Sequence, residues 1–180
     1  NSTDGINWSE RALIINQPYD VVIPRAIRNN TGVFWLTWKA SSQEEIWISN
    51  STDGAIWSPQ ALAIPSASSV NQFQSIIHDK NNIYWMVWET TRANPNGAVW
   101  IANSTDGVSW SNFTDLTGSL IGLSPHIMQD VDNKYWSVFS CRPNYPTSLE
   151  NYLCAINRTE GRNWSNSTVI IDWETSEDPI

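Results

Sequence analysis

The stretch Asn50-Ser51-Thr52-Asp53-Gly54, followed by Trp57-Ser58, decides the fold because the chain repeats it. Further copies stand at Asn1–Gly5 with Trp8-Ser9, at Asn103–Gly107 with Trp110-Ser111, and, in degenerate form, at Asn157–Gly161 with Trp164-Ser165. The copies begin about fifty residues apart, and self-similarity at such a period indicates one supersecondary unit copied in tandem.

Each period contains four short runs of β-branched and aromatic residues. In one period, the polar turn Asn29–Gly32 leads into Val33–Trp38, Glu45–Ile48 precedes the repeated box, and Ala61–Ile64 follows it. The fourth run is blurred in one copy, at Leu116–Ile121. No stretch shows sustained helical spacing of apolar residues. Four antiparallel strands in about fifty residues predict an all-β fold made of β-propeller blades.

The repeat predicts a single propeller domain or arc over residues 1–180. Its parts are a leading outer strand over 1–20, three complete blades over 21–68, 69–121 and 122–175, and the start of a next blade over 176–180. Propellers close with about four to eight blades, and open sheet edges invite pairing with another chain. We therefore expect further blades from a longer polypeptide, which is the preferred interpretation, or copies of this chain that complete the ring.

The box has a structural and a catalytic interpretation. An Asp in a tight turn accepts hydrogen bonds from the backbone N–H groups that follow it, and Gly takes a positive φ without steric cost. The Trp buries a large apolar area. Four equal copies, one in each blade, cannot converge on one substrate, which favours the structural role. The box residues are Asp4, Asp53, Asp106, Glu160, Trp8, Trp57, Trp110 and Trp164.

The pattern Ser-Thr-Asp-Gly-x-x-Trp resembles the Asp-box, or BNR repeat, of sialidase-like β-propellers. It is a variant, because the commonest form has one more residue between Asp and Trp. The resemblance covers the whole chain and is specific for the fold rather than for an activity. It implies that the box is structural and lies away from the side that binds substrate.

Three equivalent positions are candidates for binding a ligand. Alignment of the blades on Trp35, Trp85 and Trp136 gives the positions of Arg25, Ser75 and His126, near the start of each first strand. In propellers, ligands usually meet the side where the first strands begin and where the loops between second and third strands gather. We therefore predict a channel mouth formed by these three residues, with Arg92 and Arg142 contributed by loops.

Two functions remain open at this mouth. Glycoside hydrolysis needs two carboxyl groups that flank the bond, whereas the aligned positions hold Arg, Ser and His, so no catalytic residue is assigned. Sialidase-like chemistry needs three converging Arg residues and a Tyr nucleophile with an acid partner, and no Tyr–Glu pair can be nominated. The first function is a surface propeller that acts as a scaffold or binds glycans or proteins and self-assembles. The alternative is part of a sialidase-like exo-glycosidase.

Charge and hydropathy argue against two kinds of partner, nucleic acid and a membrane span. The chain has a net charge of −8 and only 10 Lys plus Arg residues, which are not clustered, and this argues against nucleic-acid binding. No apolar run approaches the ~20 residues needed to span a bilayer.

No cofactor is predicted. Asp130 and Asp132 offer oxygen ligands that Ca²⁺ prefers, but the turn lacks the Gly and the distal Glu of an EF-hand loop. The equivalent turn Asn29–Gly32 needs no metal, so ordinary hairpin chemistry is favoured.

Sequons and cysteines indicate the compartment. Asn-x-Ser/Thr occurs nine times, at Asn1, Asn7, Asn29, Asn50, Asn103, Asn112, Asn157, Asn163 and Asn166. Cys141 and Cys154 align with adjacent strands of the last blade, where they form either a cross-strand disulfide or two buried thiols. Together these features predict an extracellular or cell-surface glycoprotein.

Overall fold

Three four-stranded antiparallel sheets make up the structure, a computed structural model that describes residues 6–7, 10, 13–143, 152–159 and 163–172. The first sheet contains β1 (Val21–Arg28), β2 (Phe34–Ala40), β3 (Glu45–Ser51) and β4 (Ala61–Ile64). The second contains β5 (Asn71–His78), β6 (Tyr84–Thr90), β7 (Ala98–Ser104) and β8 (Ser111–Asp115). The third contains β9 (Leu120–Gln129), β10 (Tyr135–Pro143), β11 (Tyr152–Arg158) and β12 (Thr168–Asp172). The strands of each sheet follow chain order, which confirms the prediction of an all-β chain built from propeller blades.

The turn between the first and second strands has the same chemistry in every blade. The side-chain Oδ1 of its first residue accepts hydrogen bonds from the backbone N–H groups two and four positions later. The donors are Thr31 and Val33 to Asn29, Asn81 and Ile83 to Asp79, and Asp132 and Lys134 to Asp130. The fourth turn residue has a positive φ and is Gly32, Asn82 or Asn133, residue types that tolerate this conformation.

The alternation of side chains along β6 builds two hydrophobic cores. Tyr84, Met86 and Trp88 pack in the core between the first and second blades. Trp85 and Val87 point to the opposite face and pack in the core between the second and third blades. Successive side chains of a strand alternate between faces, so a strand with a blade on each side is buried on both.

Two boundaries differ from the sequence prediction. The fourth strand of the second blade is β8, which ends before the blurred segment Leu116–Ile121, and β9 already begins at Leu120. The described residues of the predicted leading strand, 6–7, 10 and 13–20, form no strand. A strand is stable only beside hydrogen-bonded neighbours, and within the described residues the segment 13–20 has no ladder partner.

Cys141 and Cys154 form a disulfide, with their Cα atoms 5.8 Å apart. They lie on the paired strands β10 and β11, where Cys154 faces Phe139 and Cys141 faces Tyr152. The bond is therefore diagonal across the ladder. It selects the disulfide from the two alternatives that the sequence left open.

Candidate functional site

The first strand of each blade carries a β-bulge at the equivalent place. The register shifts between Val22 and Arg25 in β1, between Gln72 and Ser75 in β5, and at the matching point of β9. Ile23, Phe73 and Ser124 lie in these bulges with φ values of 54°, 52° and 50°. Positive φ is rare for side-chain-bearing residues, above all for β-branched Ile. Bulges often turn the following side chain in a new direction, and here Arg25, Ser75 and His126 follow them.

The structure brings two of the predicted mouth residues into contact. Ser75 Oγ lies 3.0 Å from His126 Nδ1, and the backbone N–H of Ile127 donates to Ser75 Oγ at 3.3 Å. Gln74 Nε2 donates to the carbonyl of Ile23 at 2.7 Å. These bonds join the first strands of neighbouring blades, so the bulges also bind the blades to one another.

The three arginines predicted near the mouth have different surroundings. Arg25 is exposed on β1 and donates to the carbonyl of Pro24 at 3.1 Å. The guanidinium of Arg92 lies 5.4 Å from the ring of Trp100 on β7, the third strand of its blade. Arg142 is half-buried on β10, and its Nε has no hydrogen-bond partner among the residues described. Arg92 is thus held against an outer strand rather than the first strands.

Glu89 is a carboxylate of this region that the sequence reasoning missed. It lies near the end of β6 with 7% of its surface exposed. Its Oε1 accepts a hydrogen bond from Gln72 Nε2 at 2.8 Å, and its Oε2 accepts one from the backbone N–H of Ser124 at 3.0 Å. Glu89 therefore connects the second blade to the bulge of β9. The sequence feature that could have identified Glu89 is its acidic side chain at the position that Lys39 occupies in the first blade.

The described boxes share one hydrogen-bond pattern. Asp53 Oδ1 accepts from the backbone N–H groups of Ala55 and Ile56, both at 2.8 Å, and Asp106 Oδ1 accepts from those of Val108 and Ser109 at 2.8 and 2.7 Å. Each Asp also accepts from the Ser hydroxyl two positions earlier. Gly54 and Gly107 have φ values of 75° and 77°. These carboxylates are engaged in their own turns.

The box tryptophans within the described residues are half-buried. Trp110 packs against the core between the first two blades, and Trp164 packs against the core between the second and third. Trp57 is also half-buried. The predicted box residues Asp4, Trp8 and Glu160 lie outside the described part of the chain.

The box makes stability depend on pH in the acid range. Hydrogen bonds from the backbone N–H groups of Ser109 and Val108 lower the pKa of Asp106 to about 2. Because this pKa is below its unfolded value, the stabilisation is fully present above about pH 4 and is lost as the pH falls towards about 2. We expect the thermal midpoint of Asp106→Asn to fall less than that of the unaltered protein between these pH values, measured by circular dichroism. If the thermal midpoints of the two proteins fell by the same amount over this pH range, the role assigned to Asp106 would be wrong.

The sequons differ in accessibility. Asn7, Asn112, Asn163 and Asn166 are exposed, whereas Asn29, Asn50, Asn103 and Asn157 are half-buried. Asn29 Nδ2, the atom that would carry a glycan, donates to Tyr84 Oη at 2.8 Å. Asn1 lies outside the described residues. The four exposed asparagines are therefore the better acceptor sites for N-glycans.

The carboxylate considered for Ca²⁺ is already bonded. Asp130 accepts from two backbone N–H groups of its turn and, through Oδ2, from Trp136 Nε1 at 2.8 Å. Within the described residues, no group of three or more His, Cys, Asp or Glu side chains is placed to hold a metal ion.

The described ranges contain no helix that is long and apolar enough to cross a membrane.

Comparison with solved structures supports a sialidase-like β-propeller fold. A protein of unknown function from Dyadobacter fermentans matches with a TM-score of 0.73 at 14% identity, over 93% of this chain and 56% of its own. The α-L-arabinofuranosidase of Fusarium graminearum matches with a TM-score of 0.61 at 17% identity, over 87% and 52%. A mutant of Trypanosoma rangeli sialidase matches with a TM-score of 0.58 at 14% identity, over 81% and 30%. At these identities the likeness shows the fold alone.

The chain spans between about a third and about three fifths of the length of these neighbours and of the others it resembles. No protein-family model matches the sequence, and the search of curated proteins gives no match.

Proposed function

We propose that this chain is a glycan-binding β-propeller module of an extracellular surface protein. The main observation behind this proposal is that a β-bulge precedes Arg25, Ser75 and His126 at the equivalent place on the first strand of each blade. In addition, Ser75 and His126 are in contact. Arg25 and His126 are exposed, and a guanidinium and an imidazole together donate and accept hydrogen bonds, which is the chemistry that sugar hydroxyls require. Ser75 is buried and contacts the imidazole through its hydroxyl. Structural neighbours named as an arabinofuranosidase and a sialidase support a sugar ligand.

Binding is tested by titrating arabino-, galacto- and sialyl-oligosaccharides in a calorimeter. We expect Arg25→Ala and His126→Ala each to weaken the best ligand at least tenfold, which corresponds to about 1.4 kcal/mol. Arg28→Ala is the matched control, because Arg28 is also exposed on β1 but donates to Gly32 at the hairpin end of the strand. Equal weakening by all three substitutions, or by none, would contradict a site at the mouth.

A sialidase-like exo-glycosidase remains the second candidate because of Glu89. Its burial near the mouth is suited to a catalytic carboxyl group, but a glycosidase needs a second one. Both oxygens of Glu89 already accept hydrogen bonds, which favours binding over hydrolysis. Release of a chromophore from aryl glycosides, abolished by Glu89→Gln with the fold retained, would favour the enzyme instead.

Extracellular location and N-glycosylation form part of the proposal. Disulfides persist in oxidising compartments, and the Cys141–Cys154 bond supports such an environment. The exposed sequons at Asn112, Asn163 and Asn166 provide acceptors. We expect the mass of the native protein to exceed 20.4 kDa by a ladder of hexose-sized steps that glycan release removes. A bare polypeptide mass from the native source would refute glycosylation.

The proposed partners include further blades or copies of the chain. The outer faces of the first and third sheets carry exposed apolar side chains, namely Phe34 (37% exposed) and Met128 (47%). Burying such side chains against another sheet is favourable. Native mass spectrometry after glycan release tests this, since assembly gives whole multiples of one chain.

A further inference from the structure

A second candidate site lies between the outer strands of the second and third blades, away from the channel mouth. This outer cleft encloses about 900 Å³, within the range of about 300–1,000 Å³ typical of ligand sites. One wall is formed by β7, β8 and the segment that leads to β9, and the other by the end of β11 and Asn163–Ser167. None of the five predicted mouth residues lines it.

The cleft lies where the fourth strand of the second blade differs in sequence from the fourth strand of the first blade. In the first blade, the fourth strand β4 places Ala63 and Ile64 in the core shared with the second blade. The fourth strand of the second blade, β8, has the sequence Ser-Asn-Phe-Thr-Asp, and its first four residues are exposed. Apolar packing beside the third blade comes from Leu116 and Leu120, which follow β8. The polar side chains of β8, among them Asn112 and Thr114, line the open cleft instead.

One wall of the cleft presents side-chain amides and a hydroxyl. Asn112 Nδ2 donates to Asn103 Oδ1 at 3.0 Å, and Thr114 Oγ1 donates to the carbonyl of Asn112 at 3.1 Å. Each of these side chains keeps further donor or acceptor capacity for a ligand. Asp115 is engaged by its own turn, since its Oδ1 accepts from Thr117 and Gly118.

The opposite wall contributes Arg158 and Trp164 to the cleft. The guanidinium of Arg158 lies 5.2 Å from the ring of Trp85, and its buried Nε has no hydrogen-bond partner in the part of the chain that is described. A guanidinium beside an indole is suited to a ligand with oxygen acceptors and an apolar C–H face.

We propose that the outer cleft binds an oligosaccharide. Sugar hydroxyls donate to and accept from the amides, sugar oxygens accept from Arg158, and the C–H face of a sugar ring packs against Trp164. Two sources supply this chemistry. Asn112 and Asn166 line the cleft and belong to sequons, so the ligand is either the protein's own N-glycan or an external glycan.

The test uses the full chain, produced with its disulfide in a host that adds no N-glycans, and titrates chitotriose, arabinotriose and cellotriose by calorimetry. Asn112→Gly removes the amide while keeping the positive φ of 57° at this position, and Thr114→Val removes only the hydroxyl. We expect one of the probes to bind, each variant to weaken it at least tenfold, and Arg28→Ala to bind normally.

The glycosylated protein separates the two sources. If its own glycan fills the cleft, the probe binds at least tenfold more weakly than to the unglycosylated chain, and enzymatic glycan removal restores binding. Unchanged affinity assigns the cleft to external glycans.

The proposal is overturned if the unglycosylated chain binds none of the three probes. It is also overturned if Asn112→Gly and Thr114→Val bind normally while Arg25→Ala does not, because the ligand then occupies the channel mouth. If only Asn112→Gly and Thr114→Val lose binding, the result supports the cleft as the binding site. Binding at the channel mouth is then decided by the separate titration of Arg25→Ala and His126→Ala.

Discussion

Replacing Gly107 with Ala is expected to destabilise the protein by about 2–5 kcal/mol, although the change adds one methyl group. A β-carbon at residue 107 would lie 2.9 Å from Cζ2 and 2.7 Å from Cζ3 of Trp35, and closer still to Cη2. Trp35 is buried in the core between the first two blades, with its ring centroid 4.9 Å from that of Tyr84. The indole has little room to move, so the added carbon must force the blades apart.

Gly54→Ala is the matched control for this prediction. Gly54 occupies the same box position with a φ of 75°, against 77° for Gly107. A β-carbon there meets only Phe34, at 3.9 Å, so the substitution costs about 1–2 kcal/mol for the left-handed backbone alone. Urea unfolding of both variants should differ by about 1–3 kcal/mol, the typical cost of overpacking. Equal free energies of unfolding would show that the contact with Trp35 is unimportant.

Asp79→Ala is expected to cost about 3–5 kcal/mol, because it leaves several donors without an acceptor. Asp79 is 1% exposed, and its Oδ2 accepts from Trp85 Nε1 at 2.9 Å and from Tyr135 Oη at 2.5 Å. Its Oδ1 accepts hydrogen bonds from two backbone N–H groups of the turn. The bond to Tyr135 joins the second blade to the third, so the loss should weaken their interface as well as the hairpin.

Two variants separate the parts of this effect. Asp130→Ala removes the same turn bonds and the bond from Trp136 Nε1 in a more exposed setting, and should destabilise the protein less than Asp79→Ala does. Asp79→Asn keeps the turn but sets an amide N–H₂ against the Trp85 N–H, and should cost about 2 kcal/mol. Thermal and urea unfolding give both values. If Asp79→Ala were no worse than Asp130→Ala, the inter-blade bond would contribute nothing.

The first blade shows the consequence of an amide at this position. Asn29 donates through Nδ2 to Tyr84 Oη at 2.8 Å, which preserves the link to the next blade. An amide N–H₂ cannot accept from an indole, and Trp35 Nε1 accordingly has no hydrogen-bond partner among the residues described. The comparison explains why the carboxylate is the better group in the second blade.

Much of the fold was predictable because its signals are local. The hairpin turns depend on side chains that bond to the backbone two and four residues later, and the boxes close within a few positions of Asp53 and Asp106. Such patterns stay readable in a single chain and repeat with each blade. The same locality made the equivalence of Ser75 and His126 predictable from the spacing to the tryptophans.

The structure decided what depends on neighbouring blades. Asp79 and Tyr135 are 56 residues apart, and neither residue reveals its partner in the sequence. Glu89 escaped notice because its two partners, Gln72 and Ser124, are brought to it by the register of one strand and by the bulge of another.

Sequence alone determined the repeat, the number of strands in each blade, the turns and the pairing of strands within a sheet, because these follow from periodicity and short-range hydrogen bonds. Tertiary structure alone decided the contact of Gly107 with Trp35, the buried bonds of Asp79 and the open cleft beside β8. These features arise where one blade packs on the next, and packing depends on shapes and distances that a periodic pattern does not carry.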